Sequence, residues 1–465
     1  MNKIISIFKQ ISQIPRESGN EKALREWLIN WATQHNFEYQ IDKKGNLVIK
    51  NKVDTDNSPI VLQSHLDMVC QKTIDSKHDF SKDPITMIEE DGWLKSQDTS
   101  LGADNGIGIS IMLQTLLDMK DKKSIELLFT VEEEIGLYGA NALKDGFIKG
   151  KYFINLDSEE EGVVTVGCAG GKRAVIKNKF EKVILEEKLS QYNLKLFDFE
   201  GGHSGVDINK GRNSAIMVMN SVLVEILAKG DLYIVSINGG TAANAIPANC
   251  EAEFVTKLSS TEIDSIIKKK MLKFQSVDSN AKYSLIEQKN KKLVISLEDS
   301  QKLIRYIQSL PNGVLKMVKG STEMVETSCN LGVIGLNNDE VILQISFRSS
   351  NLEKLNELTE NVIKICEKSN FKIEFNEGYP SWTPNFNSKL LKVAKETYKK
   401  LFNKELNVEV THGGLECGVI LNKYPDLDAI SIGPTIENPH SVEEKLEIKT
   451  VEKTYNFLIS LIKEL

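Results

Sequence analysis

The sequence predicts an α/β protein of two folded units, one assembled from both ends of the chain and one inserted into it. Three observations predict this. At 465 residues the chain is longer than a single hydrophobic core usually serves. Helix-type and strand-type apolar periods alternate up to about residue 170. Lys/Glu-rich stretches with β-like runs and amphipathic helices then fill roughly 185–380, and helix–strand alternation resumes after Ser381-Trp382-Thr383-Pro384. The expected layout is therefore a mixed sheet flanked by helices, built from 1–184 and 381–465, with an α+β insert over 185–380.

Each element has a local reason. Ile4, Ile7, Phe8 and Ile11 share one face of a predicted helix over 2–13, and a second helix is predicted over 20–35, after the Pro15/Gly19 break. Strands are predicted over 37–41 and 46–49 about a polar turn, and over 59–64, 124–131 and 152–156 from short apolar runs. A glycine-rich stretch, Gly102–Gly108, opens a helix over 107–119. In the insert, β-like runs are expected at 195–199, 233–237 and 341–347, with helices near 212–228, 260–274 and 352–368. Two helix–strand groups are visible there, before and after about residue 285, without a clear internal repeat. A helix over 451–465 ends the chain.

Composition narrows the classes of function. Hydrophobic content of 41% and charged content of 26% suit a globular protein. The net charge of −7, from 65 acids against 58 bases, argues against a nucleic-acid surface. No apolar stretch is long enough to span a membrane, and the N-terminus lacks the apolar core and cleavage site of a signal peptide. Six cysteines without a C-x-x-C pair fit reduced thiols, so a cytoplasmic protein is expected. Cys417, in Gly414-Leu415-Glu416-Cys417-Gly418, could be a nucleophile, but a small buried hydrophobe in a turn is the commoner role.

Six histidines are few, and two sit in metal-like settings. The first is Ser64-His65-Leu66-Asp67-Met68 and the last Asn438-Pro439-His440-Ser441. Between them come Gly102-Ala103-Asp104-Asn105-Gly106, Glu132-Glu133-Glu134 and Asp157-Ser158-Glu159-Glu160-Glu161. Mixed nitrogen and oxygen ligands with a spare carboxylate suit a two-metal hydrolase. Residues i and i+2 of a strand end share a face, so Asp67 could take the spare N–H of His65. Taken singly, His65 beside Asp67 is more often a core histidine, and Asp104 a helix cap. The Glu run is different, because three adjacent acids after a buried strand repel unless a cation is near. One could bind metal while its neighbour acts as base. Glu159 is an alternative to Asp157 as ligand. In the insert, His203 between glycines and Asn244 could face a developing oxyanion, and Arg348 could grip a carboxylate. No G-x-S-x-G elbow, Walker A loop or G-x-G-x-x-G is present.

In this order, Ser64–Met68, Ser100–Gly108, Thr130–Ala140, Asn155–Gly162, Gly201–Gly205 and Thr411–Gly418 resemble the M20 metallopeptidase family, and within it the aminoacyl-histidine dipeptidases. The resemblance covers essentially the whole chain. It implies a zinc-peptidase-type catalytic domain with an inserted lid or dimerisation domain, and two zinc ions per chain, with cobalt or manganese as substitutes. His65 and Asp157 would hold one ion, Glu134 and His440 the other, and Asp104 both. Asp67 would orient His65, and Glu133 would be the general base. His203, Asn244 and Arg348 match lid positions that help bind the scissile carbonyl and the substrate carboxylate. Asp157 stands where some relatives use Glu, a departure that accompanies peptidases. His412 stands where tripeptidase relatives tend to have Arg. The implied substrates are unblocked dipeptides, preferably Xaa-His, with a homodimer possible. A tripeptidase or N-acyl-amino-acid deacylase is the alternative within the family, and a non-catalytic metal-binding scaffold the alternative outside it.

Overall fold

The apolar stripe of the N-terminus is buried on helix Asn2–Ile11. The structure is a computed structural model that describes residues 2–53, 59–185, 189–274, 276–288, 293–337, 339–376 and 378–465. The stripe packs on helix Ala103–Met119, whose residues are buried on every side from Ala103 to Leu116. A helix apolar all round is a core element, which accounts for the run Ile107-Gly108-Ile109-Ser110-Ile111.

The chain forms two compact units. The first is Met1–Cys168, Trp382–Val410 and Leu415–Leu465; the second is Ala169–Ser381 with Thr411–Gly414. The first break falls earlier than the expected 184. Strand Gly170–Lys179 pairs with Glu340–Ser349 along its whole length and so belongs to the inserted sheet.

An eight-stranded mixed sheet organises the first unit. Its order is Glu38–Ile41, Leu47–Lys50, Ile125–Thr130, Ile60–His65, Tyr152–Asn155, Asp428–Ser431, Val163–Cys168, Asn407–Thr411. The four strands from Ile125–Thr130 to Asp428–Ser431 run parallel. All residues of Ile60–His65, Ile125–Thr130 and Tyr152–Asn155 are buried, as central parallel strands require. A smaller four-stranded sheet pairs Lys445–Glu447 with Trp93–Ser96 and with Ile436–Glu437. The loop carrying His440 connects the last two C-terminal strands of that sheet.

The second unit is built on one antiparallel sheet of nine strands. The two helix–strand groups of the insert are joined in it where Ile237 pairs with Leu336. Helices Ala215–Lys229, Ser260–Met271, Leu297–Ser309 and Leu352–Ser369 bury their apolar faces in its core. The first begins three residues later than the sequence suggests because Ser214 caps it, accepting from the Met217 N–H. Such a cap is worth about 1 kcal/mol. Among the described residues, no helix is long and apolar enough to cross a membrane.

Candidate active site

Three parallel strands open at one edge of the first unit's sheet. His65 ends the middle strand, in register with Thr130 on one neighbour, while Gln63 is level with Asn155 on the other. Glu132–Glu134 and Asp157 come directly after those neighbours. Strand ends of this kind are where α/β sheets converge side chains. Asp104 enters from the start of helix Ala103–Met119, where Asp104 and Asn105 are not helical and the peptide between them is cis. Asn105 Nδ2 donates to Leu156 O at 2.7 Å and to Asp157 Oδ1 at 2.6 Å, tying this turn to the Asp157 strand end. His440 adopts a left-handed backbone, φ 60°, as does Asn438. Side chains seldom sit there unless the surroundings hold them, and such residues cluster at functional sites.

The expected ligands meet. His65 Nε2 lies 3.0 Å from Asp104 Oδ1 and 3.3 Å from Asp157 Oδ1. His440 Nε2 lies 2.9 Å from Asp104 Oδ2 and 3.2 Å from Glu134 Oε2. Asp104 thus stands between two imidazoles, and each imidazole faces one further carboxylate. Ligand atoms of His65, Asp104 and Glu134 all lie within 4.8 Å of one another, a spacing that could hold a metal ion. Glu134 Oε1 is buried without a hydrogen-bond partner. His65 Nδ1 is 3.4 Å from Asp67 Oδ1, which is ion-pair distance.

The charges ask for a cation. His65 is raised well above the usual imidazole range: burial opposes this, but Asp157, Asp104 and Asp67 outweigh it. Hydrogen bonds to Asp104 and Glu134 push His440 up to about 11. Burial, with the charges of Asp104 and Glu134, brings Asp157 up to about 6. Burial, then Asp104 and Asp157, brings Glu159 up to about 8. Burial alone would raise Asp104, but His440 and His65 hold it well below its ordinary range, while Asp157 and Glu159 resist ionisation and the imidazoles hold protons. The acids outnumber the positive charge available to them, and a divalent ion supplies more. The donor set, the orphaned Glu134 oxygen and this charge imbalance all fit a metal.

The three glutamates diverge. Glu132, with φ 51°, turns to Lys44 Nζ at 2.6 Å. The N–H groups of Glu133 and Glu134 donate to Asp67 Oδ1 at 3.0 Å and Oδ2 at 3.1 Å, and Ser18 Oγ donates to Oδ2 at 2.7 Å. Burial alone would raise Asp67, but His65 and these donors hold it at about 2. Asp67 therefore organises the glutamate turn as well as facing His65. Glu133 is raised well above the ordinary range, first by burial and then by Glu134, Asp157 and Glu416, with His65 opposing.

Sequence reasoning missed four contributors. Arg16 and Glu444 are buried beside the Asp67 and Asp104 turns. Asn105 ties two turns together. Glu416, fully buried, accepts from Gln63 Nε2 and Thr130 Oγ1, each at 2.6 Å. Arg16 and Glu444 occur in polar runs that read as loop, and their one signal is adjacency to a break or a metal-type motif. Cys417 is buried at the start of helix Glu416–Lys423, its thiol raised well above the usual range by burial, so it is packing rather than a nucleophile.

In the second unit, Arg348 Nη1 donates to Tyr379 Oη at 3.0 Å and to His412 O at 3.2 Å, and Nη2 lies 3.4 Å from His203 Nε2. Arg348 Nε is buried without a partner. His412 Nε2 lies 2.7 Å from Ser328 Oγ, and burial, then the charges of Arg348 and His203, bring its ring down to about 3. His203 and Arg348 are thus brought together. Asn244 joins them through its carbonyl, which accepts from the Ser204 N–H at 2.9 Å.

An α/β sheet with carboxylates and imidazoles converging at parallel strand ends defines a hydrolase of the metallopeptidase class. The chain belongs to peptidase family M20/M25/M40, whose sequence pattern matches residues 61–464. It is a hydrolase of peptide bonds. Over 475 aligned residues it is 34% identical to the cytosol non-specific dipeptidase of Escherichia coli K12, covering 99% of this chain and 96% of that protein. The crystal structure of aminoacylhistidine dipeptidase from Vibrio alginolyticus matches with a TM-score of 0.90 and 32% identity, over 100% of this chain and 96% of that one. A tripeptidase from Staphylococcus aureus shares the fold, with a TM-score of 0.58 and 18% identity over 100% and 98% of the two chains.

Proposed function

We propose that the chain is a di-zinc dipeptidase that cleaves unblocked dipeptides, Xaa-His among them, in the cytoplasm. The observation that carries this is Asp104 standing between His65 and His440, with Asp157 and Glu134 each facing one imidazole. His65 and Asp157 would hold one ion, His440 and Glu134 the other, and Asp104 both. Zinc is favoured by the mixed nitrogen and oxygen donors, and cobalt or manganese would substitute. When bound, the metal pair polarises the scissile carbonyl and lets water lose a proton near neutral pH.

The remaining work falls to side chains. Glu133 takes the proton from the attacking water onto its carboxylate, and the water oxygen bonds to the carbonyl carbon. The same proton passes to the amine nitrogen as the C–N bond breaks, leaving an acid and an amine. Burial, first among the causes, raises the Glu133 carboxyl from its ordinary range, a direction that makes its carboxylate a stronger proton acceptor. Asp67 keeps the glutamate turn in place. His203, Asn244 and Arg348 are proposed substrate-binding residues of a lid-type second unit, and Arg348 suits a carboxylate.

Two relatives above 30% identity over nearly the whole chain are named as dipeptidases, one non-specific and one for aminoacylhistidine substrates. Turnover of β-Ala-His, an unblocked dipeptide without histidine, a tripeptide and an N-acetylated amino acid tests the reading. Hydrolysis of dipeptides is expected. Cleavage confined to the tripeptide or the acetylated compound overturns it.

A further inference from the structure

The two turns that carry Asp67 and Asp104 are held by two buried ionisable side chains, each bonded to turn backbone. Arg16 and Glu444 are each only 2% exposed. Arg16 Nη1 donates to Leu66 O at 3.0 Å and to Asp67 O at 2.7 Å, while Nη2 donates to Gly102 O. One planar fork therefore bridges the turn after strand Ile60–His65 to the turn before helix Ala103–Met119. Glu444 holds the second turn from the other side. Its Oε2 accepts from the Leu101 and Gly102 N–H groups at 2.7 and 2.8 Å, and its Oε1 from the Asp104 N–H at 3.2 Å.

The glycine-rich motif makes room for this arrangement. A Cβ added at Gly102 would lie 2.6 Å from Arg16 Nη2, and one at Gly106 would lie 2.8 Å from the same atom. Met68 Sδ at 2.8 Å from the first of these and Phe8 Cε2 at 2.8 Å from the second share the space with the guanidinium. Burying ionisable side chains is a poor route to stability, since apolar side chains of similar volume usually serve as well. What such a pair does supply is a defined geometry. Lysine, with a point charge on a flexible stem, would not replace the fork.

We propose that Arg16 and Glu444 are positioning residues that set the separation of the His65–Asp67 turn from Asp104, and so tune cation affinity. This rests on the metal reading of the site. Neither side chain is a candidate ligand. Outer partners of this kind typically change metal affinity by about 10- to 100-fold.

The test uses the full chain stripped of metal, as parent, Arg16→Lys, Glu444→Gln and the double variant Arg16→Met/Glu444→Gln, which leaves no unpaired buried charge. Circular dichroism and melting of the metal-free proteins identify the folded variants. Each is titrated with zinc by calorimetry and with cobalt by visible absorption. Folded variants are expected to bind about 10- to 100-fold more weakly, with a shifted cobalt spectrum. Parental affinity and spectrum in any folded variant overturn the assignment, and failure of all three to fold reduces the pair to a structural role and overturns it too. If the parent itself binds neither cation, the metal reading falls first, a result distinct from loss of contrast between parent and variants.

Discussion

His440 Nε2 stands 2.9 Å from Asp104 Oδ2, although 336 positions separate the two in the chain. The contact is made by the small sheet that pairs Lys445–Glu447 with Trp93–Ser96, which returns the C-terminal loop to the helix start carrying Asp104. Removing the imidazole should empty one of the two proposed positions and leave the other intact. His440→Ala is therefore expected to hold about one ion per chain where the parent holds two. Metal content by mass spectrometry after equilibration in excess zinc checks this. Two retained ions would exclude His440 as a ligand.

Glu133 is the member of the glutamate run left over once Glu132 is paired with Lys44 and Glu134 faces His440. Glu133→Gln should keep the parental metal content and lose at least about 100-fold in kcat, the lower end of what general bases contribute. Single-turnover rates with a dipeptide, alongside metal analysis, separate the outcomes. A variant that loses metal instead would make Glu133 a ligand.

Metal loading should release protons. His440 is held up to about 11 and His65 well above its ordinary range in the metal-free protein, yet imidazoles ligate only when neutral. His440 is a cation at pH 7 and His65 is shifted the same way, so binding expels protons and affinity climbs with pH. Calorimetric titration in buffers of different ionisation enthalpy counts them, and at least one proton per chain is expected. Zero release, or affinity that falls from pH 6 to pH 8, contradicts this charge assignment.

Glu416 should make stability fall as pH rises from about 4.5 to about 8. Burial is the main cause that raises it from 4.5 to about 8 in the folded chain. A folded carboxyl above its unfolded value must be protonated on folding. Stability is then full below about 4.5 and declines as pH climbs toward about 8. Glu416→Gln keeps the shape without the titration, so its denaturation midpoint should change less between pH 5 and pH 8 than the parent's. Identical pH dependence would show that Glu416 is already ionised in the fold.

Chelation gives the simplest check on the reaction class. Excess chelator is expected to abolish peptide hydrolysis, and zinc, cobalt or manganese to restore it. Undiminished turnover in chelator would remove metal from the mechanism.

Much of this was legible in the residues themselves. The stripe Ile4, Ile7, Phe8, Ile11 and the buried runs ending at His65, Thr130 and Asn155 declare helix and strands, because apolar period is a local property. The chemistry of imidazoles and acids at strand ends was legible for the same reason. Tertiary structure alone decided that Asp104 lies between His65 and His440, and that Glu132 turns to Lys44 while Glu134 turns to His440. It also made Arg16, Glu416 and Glu444 interior groups, although Arg16 and Glu444 sit in polar runs like those of surface charges, while Glu416 opens an apolar helix. A side chain's burial and partner depend on which distant segment packs against it, and that is settled by the whole fold rather than by spacing along the chain.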